Sequence, residues 1–153
     1  MKISDALRNI QLLYVETAPL IYFVEKYPAY IDRMHSIFQH VSSGAIEILT
    51  STITLTETLT KPLKETDSDL ENTYRSLFLN TRHIRLISIN PSIAYRAAQL
   101  RALYALKTPD ALQVACALES NCKAFLTNDA GIKRVQEIEI LMIDELELDP
   151  LSD

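Results

Sequence analysis

Gln11-Leu12-Leu13-Tyr14-Val15-Glu16-Thr17-Ala18-Pro19-Leu20-Ile21 is the stretch on which the fold turns. Gln11 to Val15 is a compact apolar run that reads as a β-strand. It stops at an acid, Glu16, and a helix starts through Thr17 and Pro19, since proline is tolerated in a first turn. Glutamate is a poor strand residue. A charge at the end of a buried strand needs a partner or a metal. Leu20, Ile21, Phe23 and Val24 make the helix largely buried, and Pro28 ends it.

The same grammar recurs outward from that stretch. Ile46–Leu49 is a second strand, followed by a Thr-rich segment, Ser51–Thr60, in which Leu55, Leu59 and Leu63 favour a helix face. Ala124–Leu126 is another strand and runs into Asp129. Further strands are expected at Ile84–Ile89 and Ile138–Ile143. Helices are expected at Ser4–Asn9, Ala29–Val41, Ser68–Asn80, Ser92–Leu106, Thr108 to about Asn121, and Ala130–Gln136. Thr108 is the expected N-cap of its helix, with Pro109 at the first helical position. Alternating strands and helices predict a parallel sheet covered by helices on both faces.

Composition narrows the function classes. A chain of 153 residues is one domain and can bury a sizeable core without disulfides. Only two glycines, Gly44 and Gly131, are present, so neither a P-loop nor a GxGxxG loop can be built. The net charge of −5 counts mildly against binding a polyanion unless metal neutralises some of the acids. Arg82, Arg85, Arg96, Arg101 and Lys107 are the candidate local contacts to a nucleic-acid strand. Cys116 falls on an apolar helix and reads as a small core residue, and Cys122 completes no zinc spacing with it. The N-terminus has no apolar signal region, and no apolar run approaches the ~18 residues that span a bilayer, so the expectation is a soluble, cytoplasmic chain without membrane contact.

The candidate chemistry lies in four acids at or near helix starts: Glu16, Glu57, Asp110 and Asp129. Loops at the carboxyl ends of parallel strands converge on one edge of a sheet, where ligands bind. Four acids there would repel each other and raise each other's pKa, a conflict that a divalent cation removes while supplying phosphodiester chemistry. Each acid taken alone has an ordinary explanation. Helix N-termini favour negative charge, Thr54-Leu55-Thr56-Glu57 fits a capping box, and Asp129 could be an N-cap. Thr17, Thr56, Thr108, Thr127 and Asn128 adjoin the acids and could orient carboxylates or a metal-bound water, capping being the preferred role for Thr108. His35, His40 and His83 are isolated, and no serine sits in a GxSxG elbow.

Four ordered segments resemble the PIN-domain family. Leu13-Tyr14-Val15-Glu16-Thr17-Ala18-Pro19-Leu20-Ile21 is similar to its opening strand and helix, and Thr54-Leu55-Thr56-Glu57-Thr58-Leu59 to its second acidic motif. Lys107-Thr108-Pro109-Asp110-Ala111-Leu112-Gln113-Val114-Ala115 is similar to the third, and Phe125-Leu126-Thr127-Asn128-Asp129 to the fourth. The resemblance covers about residues 11–143, leaving residues 1–10 as an N-terminal extension and 144–153 as an acidic, solvated tail. It implies a three-layer α/β/α sandwich with a five-stranded parallel sheet, and a Mg²⁺- or Mn²⁺-dependent endoribonuclease. It further implies a VapC-type toxin, dimeric and neutralised by a small antitoxin. In the resulting expectation Glu16, Asp110 and Asp129 hold the cation, Glu57 ligates directly or through water, and Thr17, Thr127 and Asn128 stand behind them. The first acid of the family is usually Asp. Glu16 adds one methylene, a displacement of roughly 1.5 Å. The alternatives are a catalytically silent PIN-like module that binds RNA or protein, and a different metal-dependent phosphohydrolase.

Overall fold

A computed structural model describes residues 1–152. Helix α1 (Ile3–Leu7) precedes strand β1 (Leu12–Val15), and helices α2 (Thr17–Val24) and α3 (Ile31–Ser42) follow. Strand β2 (Glu47–Ser51) leads into α4 (Thr52–Glu65) and α5 (Ser68–Asn80), and β3 (Ile84–Ile87) into α6 (Pro91–Tyr104) and α7 (Thr108–Glu119). Strands β4 (Ala124–Thr127) and β5 (Glu139–Met142) complete the chain's regular structure before a short 3₁₀ turn at Ile143–Glu145.

The five strands form one sheet in the order β3-β2-β1-β4-β5, every pair parallel. β1 is central, and its side chains alternate between two cores. Leu13 and Val15 point to the side covered by α1 to α5, with Met34, Ile37, Tyr74 and Phe78. Tyr14 points to the side covered by α6 and α7, where its ring stacks on Phe125 with centroids 5.0 Å apart. The molecule is thus a three-layer α/β/α sandwich. Strand order reverses between β1 and β4, which makes the carboxyl ends of those two strands the switch point where ligands bind in such sheets.

Several local expectations are corrected. The helix expected over Ala130–Gln136 is a series of turns whose N–H groups reach back three residues: Ile132 to Asp129, Lys133 to Ala130 and Val135 to Ile132. The Asp129 carboxylate takes the Gly131 N–H at 2.8 Å, a local bond that competes with helix formation. Thr108 is not the N-cap of α7. The helix begins one residue earlier, so Lys107 is the N-cap, and its side chain caps nothing. Thr54 and Glu57 form no capping box, because α4 starts at Thr52 and is capped by the Ser51 hydroxyl. Its buried face is Thr54, Thr58 and Pro62, while Leu63 is exposed. Threonine survives inside this helix by bonding backward: the Thr58 hydroxyl donates to Thr54 O at 2.8 Å and the Thr60 hydroxyl to Thr56 O at 2.8 Å.

The chain ends are packed together. Ile3, Ala6, Leu7 and Ile10 lie in the core with Leu146. The Ile3 N–H donates to Glu147 O at 3.0 Å, and the Glu147 N–H to Met1 O at 2.8 Å. Residues 144–147 are therefore not a solvated tail, because Leu146 supplies an apolar anchor within the acidic run. No helix among the described residues is long and apolar enough to cross a membrane.

Candidate active site

At the switch point lies an open pocket of about 480 Å³ lined by Glu16, Glu57, Asp110 and Asp129, together with Thr17, Gln113 and Asn128. Glu16 follows the last residue of β1 and Asp129 comes two residues after β4, so the parallel pairing of β1 with β4 brings the two loops side by side. Asp110 sits in the first turn of α7. Glu57 sits in the second turn of α4, the helix that follows β2.

Glu16 is 6% exposed and occupies the N-cap position of α2, yet its carboxylate does not cap the helix. It accepts a hydrogen bond from the Thr127 hydroxyl instead. Burial pushes its pKa up to about 7, and the negative fields of Asp110, Asp129 and Glu57 add to that push, while the Thr127 bond opposes it. The Thr127 hydroxyl also accepts the Asp129 N–H at 2.9 Å, so one side chain at the end of β4 fixes both neighbouring acids. Asp110 is raised above the usual carboxylate range by burial, then by Asp129 and Glu57, with Lys107 pulling the other way. A Cβ at Gly131 would come within 3.1 Å of the Asp129 carboxylate oxygen, close enough that this side chain would have to shift slightly to admit one.

Glu57 is exposed but held in place. One of its oxygens accepts from the Thr17 hydroxyl at 2.9 Å and from the Gln113 amide at 3.3 Å. Behind it runs a buried polar network. The Gln113 carbonyl is contacted by the Tyr14 hydroxyl at 3.2 Å and the Thr54 hydroxyl at 3.1 Å, and Thr54 touches Thr17 at 3.1 Å. Tyr14 also donates to Ser51 at 3.0 Å. Sequence reasoning passed over Gln113, although an amide within the apolar run Ala111–Ala117 is a signal that a buried partner exists. Thr54, Tyr14 and Ser51 carried no comparable sign, because hydroxyls are common on core strands and helix starts.

The remaining candidates are placed as follows. Asn128 lines the pocket but spends its amide elsewhere, donating to the Tyr30 hydroxyl at 3.2 Å and accepting the Asp144 N–H at 3.2 Å. It orients no carboxylate. Thr56 bonds back to Thr52 O. Arg82, Arg85, Arg96 and Arg101 do not line the pocket; Arg85 pairs with Glu47, and Arg101 donates to Leu106 O.

Among the described residues, none of the four acids is in an ion pair. Nor do any three His, Cys, Asp or Glu side chains already stand together as a cation site. The four acids line one pocket. The donor set is all carboxylate oxygen, the chemistry suited to Mg²⁺ and Mn²⁺. The buried, cation-free Glu16 carboxylate is the observation that fits a metal to this pocket.

No curated protein matches the sequence. Solved structures are similar in fold. VapBC2 of Rickettsia felis, bound to a DNA fragment from its promoter, superposes with a TM-score of 0.69 at 17% identity, over 86% of this chain and 98% of that one. A toxin-antitoxin complex from Klebsiella pneumoniae gives 0.65 at 20% identity, over 86% and 97%. Mycobacterium tuberculosis VapC20, a sarcin-ricin loop cleaving toxin, gives 0.61 at 14% identity, over 83% and 98%. The PIN domain family model matches residues 13–138, a span that runs from the second residue of β1 through β4, stops just before β5, and holds all four pocket acids. The chain belongs to the PIN domain family.

Proposed function

We propose that this chain is a divalent-metal-dependent endoribonuclease and the toxin of a toxin-antitoxin pair. The observation that supports this most is Glu16, a buried carboxylate that shares a pocket with three more acids and has no cationic partner among the described residues. Glu16, Asp110 and Asp129 would hold Mg²⁺ or Mn²⁺, with Glu57 ligating directly or through water. Such a cation supplies an acidified water and compensates charge on a phosphodiester. The protein's own residues then set the geometry. Thr127 holds Glu16 and the Asp129 backbone, while Thr17 and Gln113 hold Glu57. The substrate in this reading is single-stranded or loop RNA.

A small antitoxin is the partner this reading carries, by analogy with the toxin-antitoxin assemblies named above. A homodimer belongs to it as well. The outer face of α6 leaves Tyr95 and Leu103 exposed, apolar surface that a second copy would cover. Incubation with RNA and Mn²⁺ tests the reading. Asp110→Asn should abolish cleavage without lowering thermal stability, and cleavage at the wild-type rate would refute the assignment. A silent PIN-like binding module is the second reading, favoured by the longer Glu16 where the family usually has Asp. Such a module need not take up Mn²⁺ at all.

A further inference from the structure

The acid pocket has a neighbour. A smaller recess of about 180 Å³ shares Asp110 and Asp129 with it and is also lined by Lys107 and Arg134. Both cations are exposed, and among the described residues neither is in an ion pair. The contrast with the adjacent residue is informative: Lys133 is bound to Glu145, whereas Arg134 faces the recess.

The backbone under both cations is braced. Lys107 follows a loop in which Ala105 takes a left-handed conformation (φ 53°) and Leu106 O accepts the Arg101 Nε–H at 3.0 Å. Arg134 ends the turn that the Asp129–Gly131 bond organises. The chain's charge is −5, and the main pocket is lined with acids, so nothing in the main pocket attracts a polyanion beyond the cation itself. A strand crossing the acids needs positive charge next to them, and lysine and arginine are the side chains that grip phosphate.

We infer that the Lys107–Arg134 recess is a subsite for the RNA phosphodiester backbone, holding a phosphate next to the one that lies over the acids. The inference rests on the nuclease reading for its ligand and names the side from which the strand runs. Contacts to phosphate carry no base information, so the subsite strengthens binding uniformly across sequences.

The test is fluorescence anisotropy of a short labelled single-stranded RNA with the full-length chain in EDTA, where the nuclease reading expects no cleavage, over a range of salt concentrations. Lys107→Ala and Arg134→Ala should each weaken binding and flatten the slope of log Kd against log salt by about 0.7, the value for one single-strand phosphate contact. Lys107→Arg and Arg134→Lys should restore most of the slope. Lys123→Ala, at the opposite end of the sheet, should leave it unchanged. Unchanged slopes in the two alanine variants overturn the subsite, as does an equal loss in Lys123→Ala. Capture of a polyglutamate peptide that depends on the two cations, with RNA binding indifferent to them, overturns it in favour of an acidic protein partner. Cleavage with Mn²⁺, assayed in parallel, separates the two levels. Cleavage with unchanged slopes sinks only the subsite, and cation-dependent binding without cleavage sinks only the nuclease.

Discussion

Glu16 takes its character first from burial, which keeps its proton on. Thr127 favours the charged form, and Asp110, Asp129 and Glu57, none of them adjoining in sequence, add to the push of burial. The longer arm of glutamate has a receiver, since the Thr127 hydroxyl at the end of β4 meets the carboxylate. The pH consequence has a definite sign. An unfolded chain releases this proton near 4.5, whereas the folded, metal-free protein keeps it to about 7. Between those values folding takes up a proton, so this group's contribution falls as pH rises. The loss is on the order of 3 kcal/mol, from 1.36 kcal/mol per pKa unit. Urea unfolding in EDTA should show Glu16→Gln gaining stability relative to wild type as pH rises from 4.5 to above 7; a constant difference across that window would contradict the account. The sequence announced Glu16 by its position at the end of an apolar strand. It could not announce Thr127 as its partner, because that contact exists only once β1 and β4 pair.

At the scale of elements, α7 illustrates what a linear pattern can and cannot carry. Its start and its acid were legible from Thr108-Pro109-Asp110, to within one residue at the cap. Its part in the site was not, because Gln113 makes contacts with β1 and α4, far apart along the chain. Gln113 is 1% exposed and serves Tyr14, Thr54 and Glu57 together. Gln113→Leu should therefore remove the acceptor shared by the Tyr14 and Thr54 hydroxyls; Tyr14 keeps Ser51, so the cost in denaturant unfolding is about 1–3 kcal/mol, the penalty for one buried group left unsatisfied. It should also free Glu57 from one of its two tethers. A neutral effect on stability would show that the network is not under the site as described. In the Thr-rich α4 the leucine spacing predicts a helix face of Leu55, Leu59 and Leu63. Leu55 and Leu59 do pack against the core, but Leu63 is exposed, and backward hydroxyl bonds let Thr54 and Thr58 be buried beside them. The pattern of residues 130–136 predicts a helix, whereas residues 130–134 form turns, because the side-chain capture of the Gly131 N–H by Asp129 leaves no periodic trace.

For the molecule as a whole, the three-layer sandwich is legible because β1, β2 and β3 are each a short apolar run followed by a helix start, and β4 and β5 repeat the apolar run. The join between the chain ends was not, since it depends on single apolar residues within polar segments. Leu146 is 3% exposed in the same core as Ile3 and Leu7. Leu146→Ala should cost about 2–4 kcal/mol in denaturant unfolding, the range for a buried leucine truncated to alanine; a cost below about 0.5 kcal/mol, the range of ordinary surface substitutions, would mean that this segment is solvated after all. Among the described residues the sheet edge gathers four acids and pairs none of them with a cationic side chain, the gap that the proposed metal ion would fill. Calorimetric titration of Mn²⁺ into the full-length protein near neutral pH tests that most directly. Saturable binding with proton release, abolished by Asp110→Asn, is the expected result, and absence of binding to the wild-type chain would contradict the account.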